Sequence, residues 1–125
     1  FAVGDVLGLS VSHVTQRKIM KRIYIAGAYT HGDVALNVRK AMEAGTQIIN
    51  AGHSPFVPHL YHFLHLHEPQ EYGTWMRVDA AWVEACDALL RLPGHSPGAD
   101  AEVCLAVRQG VRCFTEMEEL LEWLK

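Results

Sequence analysis

The 125-residue chain lacks most of the features that assign a function at a glance. No run of about 20 apolar residues is present, so no segment reads as a membrane span. Its three cysteines, Cys86, Cys104 and Cys113, form no Cys-x-x-Cys pair. An odd, scattered set in apolar surroundings reads as buried reduced thiols and a reducing, cytoplasmic setting. Charge of neither sign dominates. With 11 Lys and Arg against 14 Asp and Glu, the net charge of −3 makes no case for nucleic acid or a membrane surface as partner. Gly27 and Gly32 do not complete a Gly-x-Gly-x-x-Gly, so no nicotinamide cofactor is implied, and no other cofactor is expected. Neither repeats nor low-complexity segments occur.

What remains is a chain half hydrophobic and one-fifth charged, the composition of a single globular domain able to bury roughly two-thirds of its unfolded surface. Residues 1–19 carry no basic leader followed by an apolar core and do not read as a secretory signal. They read either as added or upstream sequence or as an arm on the domain or a partner subunit, with the domain proper at 20–125.

Within that domain, Ile23-Tyr24-Ile25-Ala26-Gly27 is a β-branched and aromatic strand that feeds a turn-rich loop ending at Asp33, a plausible helix N-cap. Val34, Val38, Ala41, Met42, Gly45, Ile48 and Ile49 then recur at helical spacing up to Gly52, placed to end the helix. His53 to Pro58 reads as a short second strand, its prolines better suited to the ends than the centre. Four histidines follow within nine residues: His59, His62, His65 and His67. Imidazole is a common metal ligand, but no cysteine, carboxylate or His-Glu-x-x-His completes a familiar spacing. The run is expected to line a pocket wall or coat a surface loop, with no metal. Pro69 suits the first position of another helix, on which Tyr72, Trp75, Met76, Trp82, Val83 and Cys86 form an apolar stripe. Asp79 interrupts that stripe. A buried carboxylate costs several kcal/mol unless paired or bonded, so Asp79 is either half of an ion pair, with Arg77, Arg39 or another arginine, or a site residue facing a cleft.

Ala88 to Leu92 is a buried strand, followed by Pro93-Gly94-His95-Ser96-Pro97-Gly98-Ala99-Asp100 as a loop and a helix over 101–109. A loop of this kind before a helix N-terminus leaves N–H groups free for an anion, and Glu102 in the first helical turn would lie beside it. Ser96, Asp100 and Glu102 can equally be ordinary capping and dipole-complementing residues. A strand over 111–114 and a helix over 116–125 close the chain.

Strands alternating with helices predict an α/β fold: a small Rossmann-like parallel sheet of four to five strands with helices on both faces. Ligands in such sheets lie beyond the carboxyl ends of the strands. That edge collects Gly27, Ala28 and Tyr29 after the first strand, Pro58 and His59 after the second, and Ser96, Gly98 and Ala99 after the third. These are the candidate substrate-binding residues.

Three motifs, Ile23-Tyr24-Ile25-Ala26-Gly27, Asp79-Ala80-Ala81-Trp82 with Ala85-Cys86-Asp87, and Ser96-Pro97-Gly98-Ala99-Asp100-Ala101-Glu102, together with Pro58, resemble the nucleoside 2-deoxyribosyltransferase-like family. The nucleoside 5′-monophosphate N-glycosidases are its nearest members. The resemblance spans 21–114. It implies that Glu102 is the nucleophile on the anomeric carbon, that Asp79 contacts the sugar and assists proton transfer, and that Ser96 binds a 5′-phosphate. Two departures stand out: Ala28-Tyr29-Thr30-His31 replaces the Ser/Arg-rich loop of some monophosphate hydrolases, and the histidine run has no counterpart. The implied activity is hydrolysis of a (2′-deoxy)nucleoside 5′-monophosphate to free base and sugar phosphate. A base-exchanging transferase and a non-catalytic nucleotide sensor are the alternatives. The implied partners are a small-molecule nucleotide or nucleoside and a second copy of the chain, as a homodimer.

Overall fold

The computed structural model describes residues 19–125, so the expectations about residues 1–18 lie outside the described residues. Among the described residues, four strands and five helices follow one another in the order β1 Arg22–Ala26, α1 Val34–Asn50, β2 Ser54–Phe56, a 3-10 turn Pro58–Tyr61, α2 His62–His67, α3 Tyr72–Ala85, β3 Ala88–Arg91, α4 Pro97–Arg108, β4 Arg112–Phe114 and α5 Met117–Trp123. All strand pairs are parallel and the sheet order is β2-β1-β3-β4. The expected α/β architecture is present, with four strands.

Period-two alternation divides the core. Ile23, Ile25, Ala88 and Leu90 turn to one face, where Ala41, Ala44 and Ile48 of α1 and Leu120 of α5 cover them. Tyr24, Ala26 and Leu89 turn to the other, under Val83 of α3 and Ala99 and Ala106 of α4. Every β1 residue after Arg22 is buried, as a central parallel strand requires. Because β1 is followed in sequence by β2 on one side and lies against β3 on the other, the chain reverses direction between β1 and β3. Ligand crevices form at such switch points.

Asp33 caps α1 as expected, its carboxylate accepting from the Leu36 N–H at 3.0 Å, and Gly52 takes the left-handed φ of 90° just past the helix end. Several details of the elements differ from the sequence reading. Pro55 occupies the middle of β2, tolerated because β2 is an edge strand. Pro69 does not open α3, which starts at Tyr72 after Glu71. Helix α4 begins at Pro97 rather than Ala101, since Pro97 fits the first helical position behind an N-cap Ser96. The last strand and helix are each trimmed, to Arg112–Phe114 and Met117–Trp123. Among the thiols, Cys86 is buried and Cys113 half-buried, but Cys104 is exposed on α4, against the expectation of three buried cysteines. No helix among the described residues is long and apolar enough to cross a membrane.

Candidate active site

At the β1/β3 switch point the loops after β1 and β3, the 3-10 turn, α2, the first half of α3 and the start of α4 enclose a cavity of about 320 Å³. Nine of the ten candidate site residues line it: Gly27, Tyr29, Pro58, His59, Asp79, Ser96, Gly98, Ala99 and Glu102. The tenth, Ala28, does not. It contributes its carbonyl, which together with that of Gly27 lies 3.2 Å from His59 Nε2. Space for Gly27 itself is tight, because a Cβ there would meet the Leu92 side chain at 3.1 Å.

Helix α4 aims Glu102 inward from its second turn, not its first, since the helix starts four residues earlier than the sequence reading placed it. Glu102 is only 7% exposed and its Oε2 accepts a 2.5 Å hydrogen bond from the hydroxyl of Tyr24, buried on β1 behind the cavity wall. Asp79, from the middle of α3, lines the same cavity and is close enough to bear on the titration of both. Burial is the main force on all three and raises their pKa values, and the charge of Asp79 pushes Glu102 further up while the Tyr24 hydrogen bond opposes it. A buried and a half-buried carboxylate on one cavity wall cannot both ionise freely, so the pair retains a proton in a pH range where ordinary carboxylates have lost theirs. The ion-pair reading of Asp79 finds no support. Arg39 pairs with Glu43, and Arg77 bonds to Thr74 Oγ1.

The start of α4 is arranged by Ser96 and Arg91. Ser96 Oγ accepts from the Ala99 N–H at 3.1 Å and its carbonyl accepts from Asp100. Two of the N–H groups expected to await an anion are therefore occupied, leaving Gly98 as the free donor in the first turn. Arg91 is spent on the same loop, with its guanidinium on Asp100 Oδ1 at 2.9 Å and on the carbonyls of Leu92 and Gly94. Among the described residues the cavity lining includes no lysine or arginine.

The opposite wall is aromatic. The stripe expected on α3 divides: Val83 and Cys86 enter the core, while Tyr72, Trp75 and Met76 face the cavity. Trp75 stacks on Tyr61 with centroids 5.5 Å apart, and Trp82 stacks on Phe56 at 4.5 Å while its indole N–H donates to Tyr61 Oη. The histidine run is helical rather than a loop, and His59, His62 and His65 reach the cavity, as a pocket wall would have them. Tyr29 Oη and His62 Nδ1 lie 2.6 Å apart. Among the described residues no group of three His, Cys, Asp or Glu side chains stands close enough to hold a metal ion.

Sequence reasoning missed Tyr24, read only as part of a strand, and the cavity-facing side of α3 with Tyr72, Trp75 and Met76. Tyr61 and His65 belong to the run expected to line a pocket wall or coat a surface loop, without being singled out as site residues. The one available signal for the wall was the aromatic density of the run from Tyr61 to Trp75, ambiguous between core and pocket.

Comparison with curated proteins returns no match. Among solved structures, the 2-deoxyribosyltransferase of the psychrotolerant bacterium Bacillus psychrosaccharolyticus is similar, with a TM-score of 0.55 and 15% identity over 74% of this chain and 69% of that one. At this identity the likeness is one of fold, and at that level it agrees with the resemblance read from the motifs. A family model described as a domain of unknown function (DUF7768) matches residues 21–115. The chain therefore belongs to the DUF7768 family.

Proposed function

We propose that the protein breaks and remakes the N-glycosidic bond of a 2′-deoxynucleoside, with Glu102 capturing the sugar and a second base, or water, receiving it. The observation that carries this reading is the Tyr24–Glu102–Asp79 group: a buried carboxylate held by a phenol, with a second carboxylate whose charge raises its pKa further, on the wall of an aromatic cavity. As the base departs, the glycosidic electron pair passes to its nitrogen and positive charge gathers on C1′. The ionised Glu102 closes an ester bond to C1′, while the proton of the carboxylate pair moves through Asp79 to the leaving base. In the second half the nitrogen of another base, or a water, attacks C1′. Glu102 leaves with the ester electron pair, and Asp79 takes the proton back. The Tyr24 hydroxyl steadies the Glu102 charge before the bond forms and after it breaks.

The fold likeness to a 2-deoxyribosyltransferase supports transfer between bases, and a cavity wall without lysine or arginine favours an uncharged 5′ end. A second reading, hydrolysis of nucleoside 5′-monophosphates, is favoured by one observation: Ser96 Oγ and the Gly98 N–H lie together on the lining at the start of α4. Incubation with nucleosides and 5′-monophosphates, with and without a second base, followed by chromatography, tests both. Base exchange on nucleosides is the expected result. Free base from monophosphates alone would favour the second reading, and no base released from any substrate overturns both.

A further inference from the structure

The histidine run holds a feature that the glycosyl chemistry does not use. His65 Nδ1 accepts two hydrogen bonds, from the indole N–H of Trp75 at 2.8 Å and from the backbone N–H of Gln70 at 3.3 Å. A nitrogen that accepts carries no proton, so the neutral ring is locked with its hydrogen on Nε2. Among the described residues both hydrogen bonds of the His65 ring fall on Nδ1 and none on Nε2, and the side chain lines the cavity. What His65 offers the cavity is therefore a donor, held in place by the indole of a tryptophan that itself lies flat on Tyr61. The two other histidines of the wall do not duplicate it. His59 spends its Nε2–H on the Gly27 and Ala28 carbonyls, and His62 is engaged with Tyr29.

We infer that His65 is the base-reading residue of this site, donating its Nε2–H to a ring nitrogen or carbonyl on the edge of a heterocyclic base held against the Tyr61–Trp75 wall. The inference rests on the nucleoside reading above and adds to it the residue that selects the base. An acceptor on a departing base gains negative charge as the glycosidic electrons arrive. The same hydrogen bond therefore strengthens towards the transition state and discriminates in kcat/KM as well as in binding.

The test takes the best natural substrate of the wild type and its analogues with one acceptor removed: 1-, 3- and 7-deaza for a purine, 3-deaza or lacking the 4-oxygen for a pyrimidine. We expect one deletion to lower wild-type kcat/KM about tenfold or more. In His65→Phe the parent should fall to the level of that analogue and the discrimination should vanish. Trp75→Phe keeps the stack but removes the indole donor, and should weaken the same discrimination while His65 remains. Nitrogen-15 histidine spectra of the wild type should place the His65 proton on Nε2. A proton on Nδ1, or discrimination that survives His65→Phe with parent activity intact, overturns the inference. Titration of the free bases and their deaza analogues onto the protein separates the two readings. Discrimination in binding that His65→Phe abolishes upholds the inference even where no substrate turns over and the glycosyl reading falls.

Discussion

The hydroxyl of Tyr24 donates to Glu102 Oε2 at 2.5 Å, joining the first strand to the fourth helix across 78 positions of sequence. Burial raises the Tyr24 phenol far above its ordinary range, so it stays protonated and serves as a fixed donor rather than an acid or base. Its bond opposes the burial that raises Glu102. Tyr24→Phe removes that opposition, so Glu102 should ionise at higher pH. We expect turnover near neutrality to fall about tenfold and the acid limb of the pH–rate profile to move upward, with the fold retained because the ring still fills the core. An acid limb that stays in place would detach Tyr24 from the titration of Glu102.

The pH dependence of the wild type follows from the shared proton. Activity needs one carboxylate charged and one protonated. The profile of kcat/KM should therefore be a bell whose limbs belong to the Asp79–Glu102 pair and both lie above the ordinary carboxylate range of about 4. Asp79→Asn should flatten the alkaline limb by removing the proton carrier.

Stability should move opposite to activity at Glu102. The folded protein binds the Glu102 proton more tightly than the unfolded chain, whose glutamate titrates near 4.3. Stability is therefore lost as pH rises from about 4.3 through the raised folded value. Glu102→Gln keeps an acceptor for Tyr24 and has no charge to bury. At pH 7–8 its melting temperature should exceed that of the wild type by several degrees, each unit of pKa shift counting about 1.4 kcal/mol, and at pH 4 the two should coincide. Turnover should drop about 10²-fold or more. Thermal melts at both pH values, beside base-release rates, check the pair of outcomes.

Asp79 offers a contrast. With no arginine against it among the described residues, Asp79→Asn should not incur the cost of about 3 kcal/mol or more that follows from breaking a buried ion pair. The melting temperature should stay level or rise while activity falls. A large loss of stability with activity per folded molecule unchanged would return Asp79 to a purely structural role.

The parts of this architecture visible in the sequence are those set by local chemistry. Strand β1 is legible because Ile23-Tyr24-Ile25 alternates between two buried faces, and α1 because Asp33 and Gly52 mark its ends. Nine of the ten candidate residues meet on one cavity because a parallel sheet delivers its loops to one edge. Less visible are features decided by side-chain meetings across the fold. Tyr24 looks like any strand aromatic until α4 brings Glu102 to its hydroxyl. Pro97 reads as a loop residue unless Ser96 is recognised as the cap before it. The tautomer of His65 depends on Trp75, ten residues and one helix away.

Ser96 decides between the two substrates. Its Oγ caps α4 through the Ala99 N–H, so Ser96→Ala should cost about 1 kcal/mol and several degrees of melting temperature whatever the substrate. The hydroxyl hydrogen remains free to donate, and a 5′-phosphate bound there would lose a charge-assisted bond of roughly 1.5–3 kcal/mol, or about 10- to 100-fold in the ratio of kcat/KM for monophosphate over nucleoside. A neutral 5′-hydroxyl would lose far less. Because no lysine or arginine lines the cavity among the described residues, and Arg91 is committed to Asp100 and its own loop, a dianion would meet neutral hydroxyls such as those of Ser96 and Tyr72, the Gly98 N–H and imidazoles, beside two carboxylates. We therefore expect the wild type to favour the nucleoside and Ser96→Ala to leave that ratio within about threefold while lowering the melting temperature. A wild-type preference for the monophosphate that narrows 10- to 100-fold in Ser96→Ala would assign the loop to phosphate and the enzyme to nucleotide hydrolysis.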